Sequence, residues 1–100
     1  MAFGIKRCEL DAWKERASAG KIAILTHYWY DRRFPNASTV TKVACSNRER
    51  LVDWGKHYAL RPEWIHERDN FSHFDLLEDK QIEVLKAEGL LWQLERLSNT

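Results

Sequence analysis

The chain reads as a small α+β domain: one short sheet of at least two strands, covered by about four helices, with residues 1–100 forming a single domain. Three observations predict this. An apolar stripe of helical period opens the chain and gives way after Gly20 to two-residue alternation. A β-branched run from Thr39 to Ala44 leads straight into a helix-start signal at Ser46. Two further helical stripes, separated by Gly89, close the chain.

Taken in order, residues 6–19 predict a helix, with Leu10, Trp13 and Ala17 on one stripe and Gly20 as its stop. Residues 21–30 predict a strand. Its alternation puts Ala23, Leu25, His27, Trp29 and Asp31 on one face and Ile22, Ile24, Thr26, Tyr28 and Tyr30 on the other. The first face begins apolar and ends polar, so a site is expected at that end. A loop carrying Arg32, Arg33 and Pro35 follows, and residues 38–45 predict a second strand beside the first. Ser46-Asn47-Arg48-Glu49 has the form of a capping box, starting a helix to about Tyr58 with Leu51, Trp54 and Tyr58 inward. Gly55 inside that helix costs about 1 kcal/mol relative to alanine, which points to close backbone packing there. A turn is expected at Pro62, and residues 66–74 read as irregular and polar. The two last helices span residues 78–88, with Ile82 and Leu85 inward, and residues 90–97, with Leu91, Leu94 and Leu97 inward and Trp92 exposed.

Composition narrows the function classes. Five tryptophans and a hydrophobic fraction of 44% supply a core and argue against disorder. The formal net charge of +1, with acids and bases interleaved, disfavours extended nucleic-acid binding. Two cysteines, Cys8 and Cys45, make no metal-type pair and no disulfide framework; both read as small buried residues. No signal-peptide pattern and no membrane-length apolar run is present, so a reduced, cytoplasmic protein with no membrane partner is expected.

The unusual residues cluster in three segments: Thr26 to Pro35, Trp64-Ile65-His66 and Ser72 to Leu76. Every histidine except His57 lies in them. His57, near a helix C-terminus, reads as structural. The expected pocket is built from His27, Trp29, Asp31, Arg33, Trp64, His66, His73, Asp75 and Lys80. Trp29 and Trp64 would stack on a ligand in that picture, although Trp54 and Trp64 read first as core residues. Arg33 and Lys80 would hold negative charge, and His73 with Asp75 would orient the ligand. The ligand class expected is small and anionic or nucleotide-like. No glycine-rich phosphate loop is present.

Two other classes use the same residues. A metal-assisted or acid–base hydrolase could draw on His66, His73 and Asp75, with His27 or Asp31. The spacing matches no standard ligand pattern, however, so no metal ligand or cofactor is assigned. No activated nucleophile is evident; Ser72 is the nearest hydroxyl, so catalytic residues stay unassigned and enzyme or non-enzyme stays open. An interaction module or homodimer would instead use the Phe34-Pro35 loop and Trp92.

From Ile22 to Leu90 the chain resembles the domain of unknown function 4031 family. The likeness rests on His27-Tyr28-Trp29-Tyr30-Asp31 ending a first strand, a second strand at Thr41 to Ser46, and a helix at Arg50 to Tyr58. It continues through Trp64-Ile65-His66, His73-Phe74-Asp75, Lys80, Ala87 and Gly89. The start Ala2-Phe3-Gly4-Ile5-Lys6-Arg7 and the run Leu25-Thr26-His27-Tyr28-Trp29 are similar to the short YneQ-type proteins of Bacillus-like bacteria. The resemblance implies no activity. It implies that the three segments belong together. The wider family tends to carry acids where His27 and Tyr28 stand.

Overall fold

The computed structural model describes residues 4–67 and 71–98. Its elements are α1 (Arg7–Ser18), β1 (Ala23–Tyr28), β2 (Thr39–Cys45), α2 (Arg48–Lys56), a 3-10 turn (Pro62–Trp64), β3 (Ser72–Leu76), α3 (Glu78–Ala87) and α4 (Trp92–Ser98). The class is α+β. The strands form one antiparallel sheet in the order β1-β2-β3.

The register sorts the strand residues into two faces. Thr26 pairs with Thr41 and Thr41 with Leu76, while Val43 pairs with both Ile24 and Phe74. This face carries the main core, in which Val43, Cys45, Phe74 and Leu76 meet Leu51, Leu60, Ile65 and Val84. The other face carries Ala23, Leu25 and His27 of β1, Val40, Lys42 and Ala44 of β2, and His73 and Asp75 of β3. Ala17 and Trp13 of α1 cover its alanine end, with the Trp13 ring edge-on to Phe71. The histidines and charges occupy the rest.

Helix ends follow local chemistry. Gly20 adopts φ +80° after α1, and the Lys21 N–H reaches back to the Arg16 carbonyl at 3.2 Å. Gly55 lets the Phe74 ring lie against the α2 backbone, since a Cβ there would stand 2.9 Å from two ring carbons. This is the close packing the sequence called for.

Several expectations are corrected. The cap of α2 is Asn47, one residue later than the Ser46 box: its Oδ1 accepts from the Arg50 N–H at 3.2 Å. Ser46 ties β2 to α1 instead, its N–H donating to the Ala17 carbonyl at 2.9 Å. The stretch read as irregular runs into a strand at residues 72–76, and His66 bridges to His73; residues 68–70 lie outside the described residues. Ile82 of α3 faces solvent, and Gln81, Val84 and Leu85 point inward. The reason is polar. The inner sheet face presents Thr39 and Thr41, and the Gln81 amide nitrogen lies 3.2 and 3.0 Å from their hydroxyls. Thr26 completes the network at 2.6 Å from Thr41. Trp64 is 50% exposed and is not core. Cys45 is buried as expected, whereas Cys8 is exposed.

Candidate ligand-binding site

The polar end of the outer sheet face gathers four of the residues singled out in the sequence. Antiparallel pairing puts Asp75 opposite Lys42 and His73 opposite Ala44, while the His66 bridge adds a neighbour beside His73. The bridge is held by two backbone bonds, His66 N–H to the His73 carbonyl at 2.8 Å and the reverse at 3.0 Å. The two imidazoles therefore stack, 5.4 Å between centroids.

Asp75 is the hub. Its Oδ2 lies 3.5 Å from His66 Nε2 and 3.7 Å from His73 Nε2, and its Oδ1 lies 3.8 Å from Lys42 Nζ. The accessibility differs: His73 is buried, Asp75 and Lys42 are partly open, and the His66 side chain is 52% exposed. His73 Nδ1 sits 3.2 Å from the Phe71 carbonyl, which can only accept, so that nitrogen carries a proton and Nε2 is the atom turned to Asp75. His27 shares the face, buried, with Nδ1 donating to the Tyr28 carbonyl at 2.8 Å. Burial holds its pKa below the ordinary imidazole range, against the backbone bond, and Lys42 adds to the lowering. Beside the cluster, Glu67 accepts from Ser72 Oγ at 2.7 Å and from Arg48 Nε at 2.6 Å, and both bonds lower its pKa.

The other sequence-derived residues lie in different surroundings. Asp31 and Arg33 pair with each other in the β1–β2 connection, at 2.7 and 3.0 Å, which holds the Asp31 carboxyl down to about 2. Trp29 is half-buried and packs on Phe34, 6.1 Å between ring centroids. Lys80 donates to the Tyr58 carbonyl at 2.8 Å and pairs with Glu83 at 2.9 Å, on the helical side of the sheet. Trp64 is exposed two residues before His66. Lys42 was not anticipated. The signal for it was one lysine in an otherwise threonine and apolar strand, Thr39 to Cys45, on the face that alternation assigns to the site.

The arrangement bears on the chemical alternatives. Among the described residues, no group of three or more His, Cys, Asp or Glu side chains is placed to hold a metal ion. Ser72, the hydroxyl nearest the cluster in the sequence reading, donates to Glu67 rather than to a histidine. No helix among the described residues is long and apolar enough to cross a membrane.

No family model matches the chain, so the likeness to the domain of unknown function 4031 rests on the short motifs alone. No solved structure matches it. Among curated proteins it is similar to the uncharacterized protein YneQ of Bacillus subtilis (strain 168), at 53% identity over 90 residues, covering 90% of this chain and 91% of that protein. The likeness covers nine-tenths of the chain, and the chain belongs to the YneQ family.

Proposed function

We propose that this protein is a small cytoplasmic binding domain that takes an anionic, nucleotide-like ligand on the Lys42–His66–His73–Asp75 face. The observation that carries the reading is the charge arrangement around Asp75. One carboxylate is ringed by an ammonium and two imidazoles, none closer than 3.5 Å. These contacts are looser than good charge-assisted bonds, which run about 2.7–2.9 Å. The ammonium and the open imidazole are therefore gathered but not tightly held, and a phosphate oxygen can take Lys42 and His66 without breaking a tight pair. Trp64, exposed just upstream of His66, offers a ring for a base to stack on.

The test is a titration with a purine mononucleotide, followed by NMR at the His66 ring and the Trp64 indole N–H. Saturable shifts at both, weakened about tenfold by Lys42→Gln, are expected, since one charge-assisted contact is worth about 1.5–3 kcal/mol. Inorganic phosphate alone should move the His66 signal and leave the Trp64 signal still. Unmoved His66 and Trp64 signals at millimolar nucleotide would sink the reading.

An interaction-module reading draws on a separate observation: Tyr30, Phe34 and Trp92 are large side chains left exposed. Light scattering across a concentration series decides it. A dimer lost in Phe34→Ser would support it, and a monomer at all concentrations would remove it.

A further inference from the structure

We infer that a cleft on the outer edge of β1, lined by none of the histidines, binds a free α-amino acid with an apolar side chain. The cleft has a volume of about 390 Å³ and is lined by Arg16, Ile22, Ile24, Glu88, Leu90 and Gln93. Its charged groups are of both signs and bond only to neutral partners. Arg16 Nε donates to the Ile22 carbonyl at 2.6 Å, and Glu88 accepts from the Tyr58 hydroxyl. Both partners are neutral. Among the described residues neither Arg16 nor Glu88 has an ion-pair partner, although each lines the same cleft.

The strand edge supplies a further donor. Gln93 bonds the Ile24 carbonyl and the Thr26 N–H, so the even-numbered residues of β1 turn their backbone groups away from β2. That leaves the Ile24 N–H facing outward between the carbonyl taken by Arg16 and the carbonyl taken by Gln93. No acceptor meets it among the described residues. A carboxylate bridging the Arg16 guanidinium and the Ile24 N–H satisfies both donors. An ammonium one carbon away meets Glu88, and an apolar side chain rests on Ile22 and Leu90. A neighbouring cleft of about 260 Å³ shares Arg16 and Gln93, but its acid, Glu9, is already engaged by Arg96 at 2.7 Å. The vacant pair of opposite charges singles out the first cleft.

The experiment is an NMR titration of the full chain with leucine, read at the Ile24, Leu90 and Gln93 amides. Two half-ligands run beside it: isocaproate, which lacks the amine, and isoamylamine, which lacks the carboxylate. Leucine is expected to bind saturably and about tenfold tighter than either, the loss for one missing charge-assisted bond. Glu88→Gln keeps the acceptor for Tyr58, so folding is retained; it should bring leucine down to the affinity of isocaproate and leave isocaproate unchanged. Arg16→Gln should weaken leucine and isocaproate alike. Absence of saturable shifts with leucine, equal binding of leucine and isocaproate, or leucine affinity unaltered by Glu88→Gln would each overturn the assignment.

Discussion

Gln93 stands beside Thr26 as a residue of a neighbouring strand would. Its Oε1 accepts from the Thr26 N–H at 3.0 Å, and its Nε2 donates to the Ile24 carbonyl at 3.2 Å, so one side chain takes an acceptor and a donor on either side of Leu25. That is the bonding of a parallel strand, made by a carboxamide from α4. Arg16 meets the next outward carbonyl, that of Ile22. Two outward carbonyls and one outward N–H of the β1 edge are thereby taken up, which disfavours pairing with another chain.

This predicts distinct outcomes for two substitutions. Gln93→Leu leaves a buried N–H and a part-buried carbonyl without partners and should cost about 1–3 kcal/mol in urea unfolding. It should also raise self-association, visible by light scattering. Gln93→Glu keeps the acceptor for Thr26 but aims a carboxylate at the Ile24 carbonyl, so at neutral pH it should cost at least as much. Equal stability of the wild type and both variants would show that α4 merely lies against the strand.

Gly55 and Phe74 set opposing terms against each other. Gly55→Ala gains about 1 kcal/mol of helix propensity. The added Cβ would lie 2.9 Å from Phe74 Cε2 and Cζ and 3.3 Å from Leu60 Cβ. Phe74 is fully buried and tilted against Trp54, so its ring has no free space to enter. Overpacking at about 1–3 kcal/mol wins, and a net loss of about 1 kcal/mol is expected. Adding Phe74→Leu should make Gly55→Ala neutral or favourable in that background. A double-mutant cycle by chemical denaturation reads the coupling.

At Ala59 a substitution should stabilise. Three helices end by reaching back to an earlier carbonyl, and two of them place glycine in the left-handed position: Gly20 at φ +80° and Gly89 at φ +72°. After α2 the same position is Ala59 at φ +58°, with the Leu60 N–H bonded to the Gly55 carbonyl at 2.9 Å. A Cβ in this conformation costs about 1–2 kcal/mol, against about 0.5–1 kcal/mol of extra chain entropy lost by glycine. Ala59→Gly should raise stability by about 0.5–1 kcal/mol. An unchanged or lower melting temperature would contradict the balance.

The pattern of hits and misses in the sequence has a physical cause. The α1 stop, both N-terminal strands and the tight contact at Gly55 were legible because period and glycine placement report local backbone geometry. The third strand was not, since Ser72 to Leu76 is short and two of its five residues are titratable. Its pairing with β2 is a long-range fact. Likewise the inward turns of Gln81 and Gln93 run against hydropathy. Each is chosen by polar groups on the sheet that appear only after pairing: the Thr39 and Thr41 hydroxyls for one, the β1 edge for the other. Of the expected site, His27, His73 and Asp75 share a face, with His66 bridged beside His73; alternation placed only His27, and strand pairing brought the others. Lys80, expected to hold ligand charge, is turned by helix packing to the Tyr58 carbonyl.

His27 predicts how stability follows pH. Burial lowers its pKa in the folded chain, with Lys42 contributing, while the Nδ1 bond to the Tyr28 carbonyl opposes without overturning the effect. The unfolded chain takes up the proton near the ordinary value of about 6.5. Between that value and the lower folded one, the unfolded state binds more protons, so stability rises with pH there. The contribution is complete above about pH 7 and is lost as pH falls through the interval below about 6.5. His27→Leu removes the titration but leaves the Tyr28 carbonyl without its donor, so the variant should be less stable at about pH 8. The gap between wild type and variant should then narrow toward about pH 5. Urea midpoints measured for both proteins across that range give the answer. A gap that stays constant would mean that His27 takes its proton equally in both states, and its burial would then carry no pH dependence.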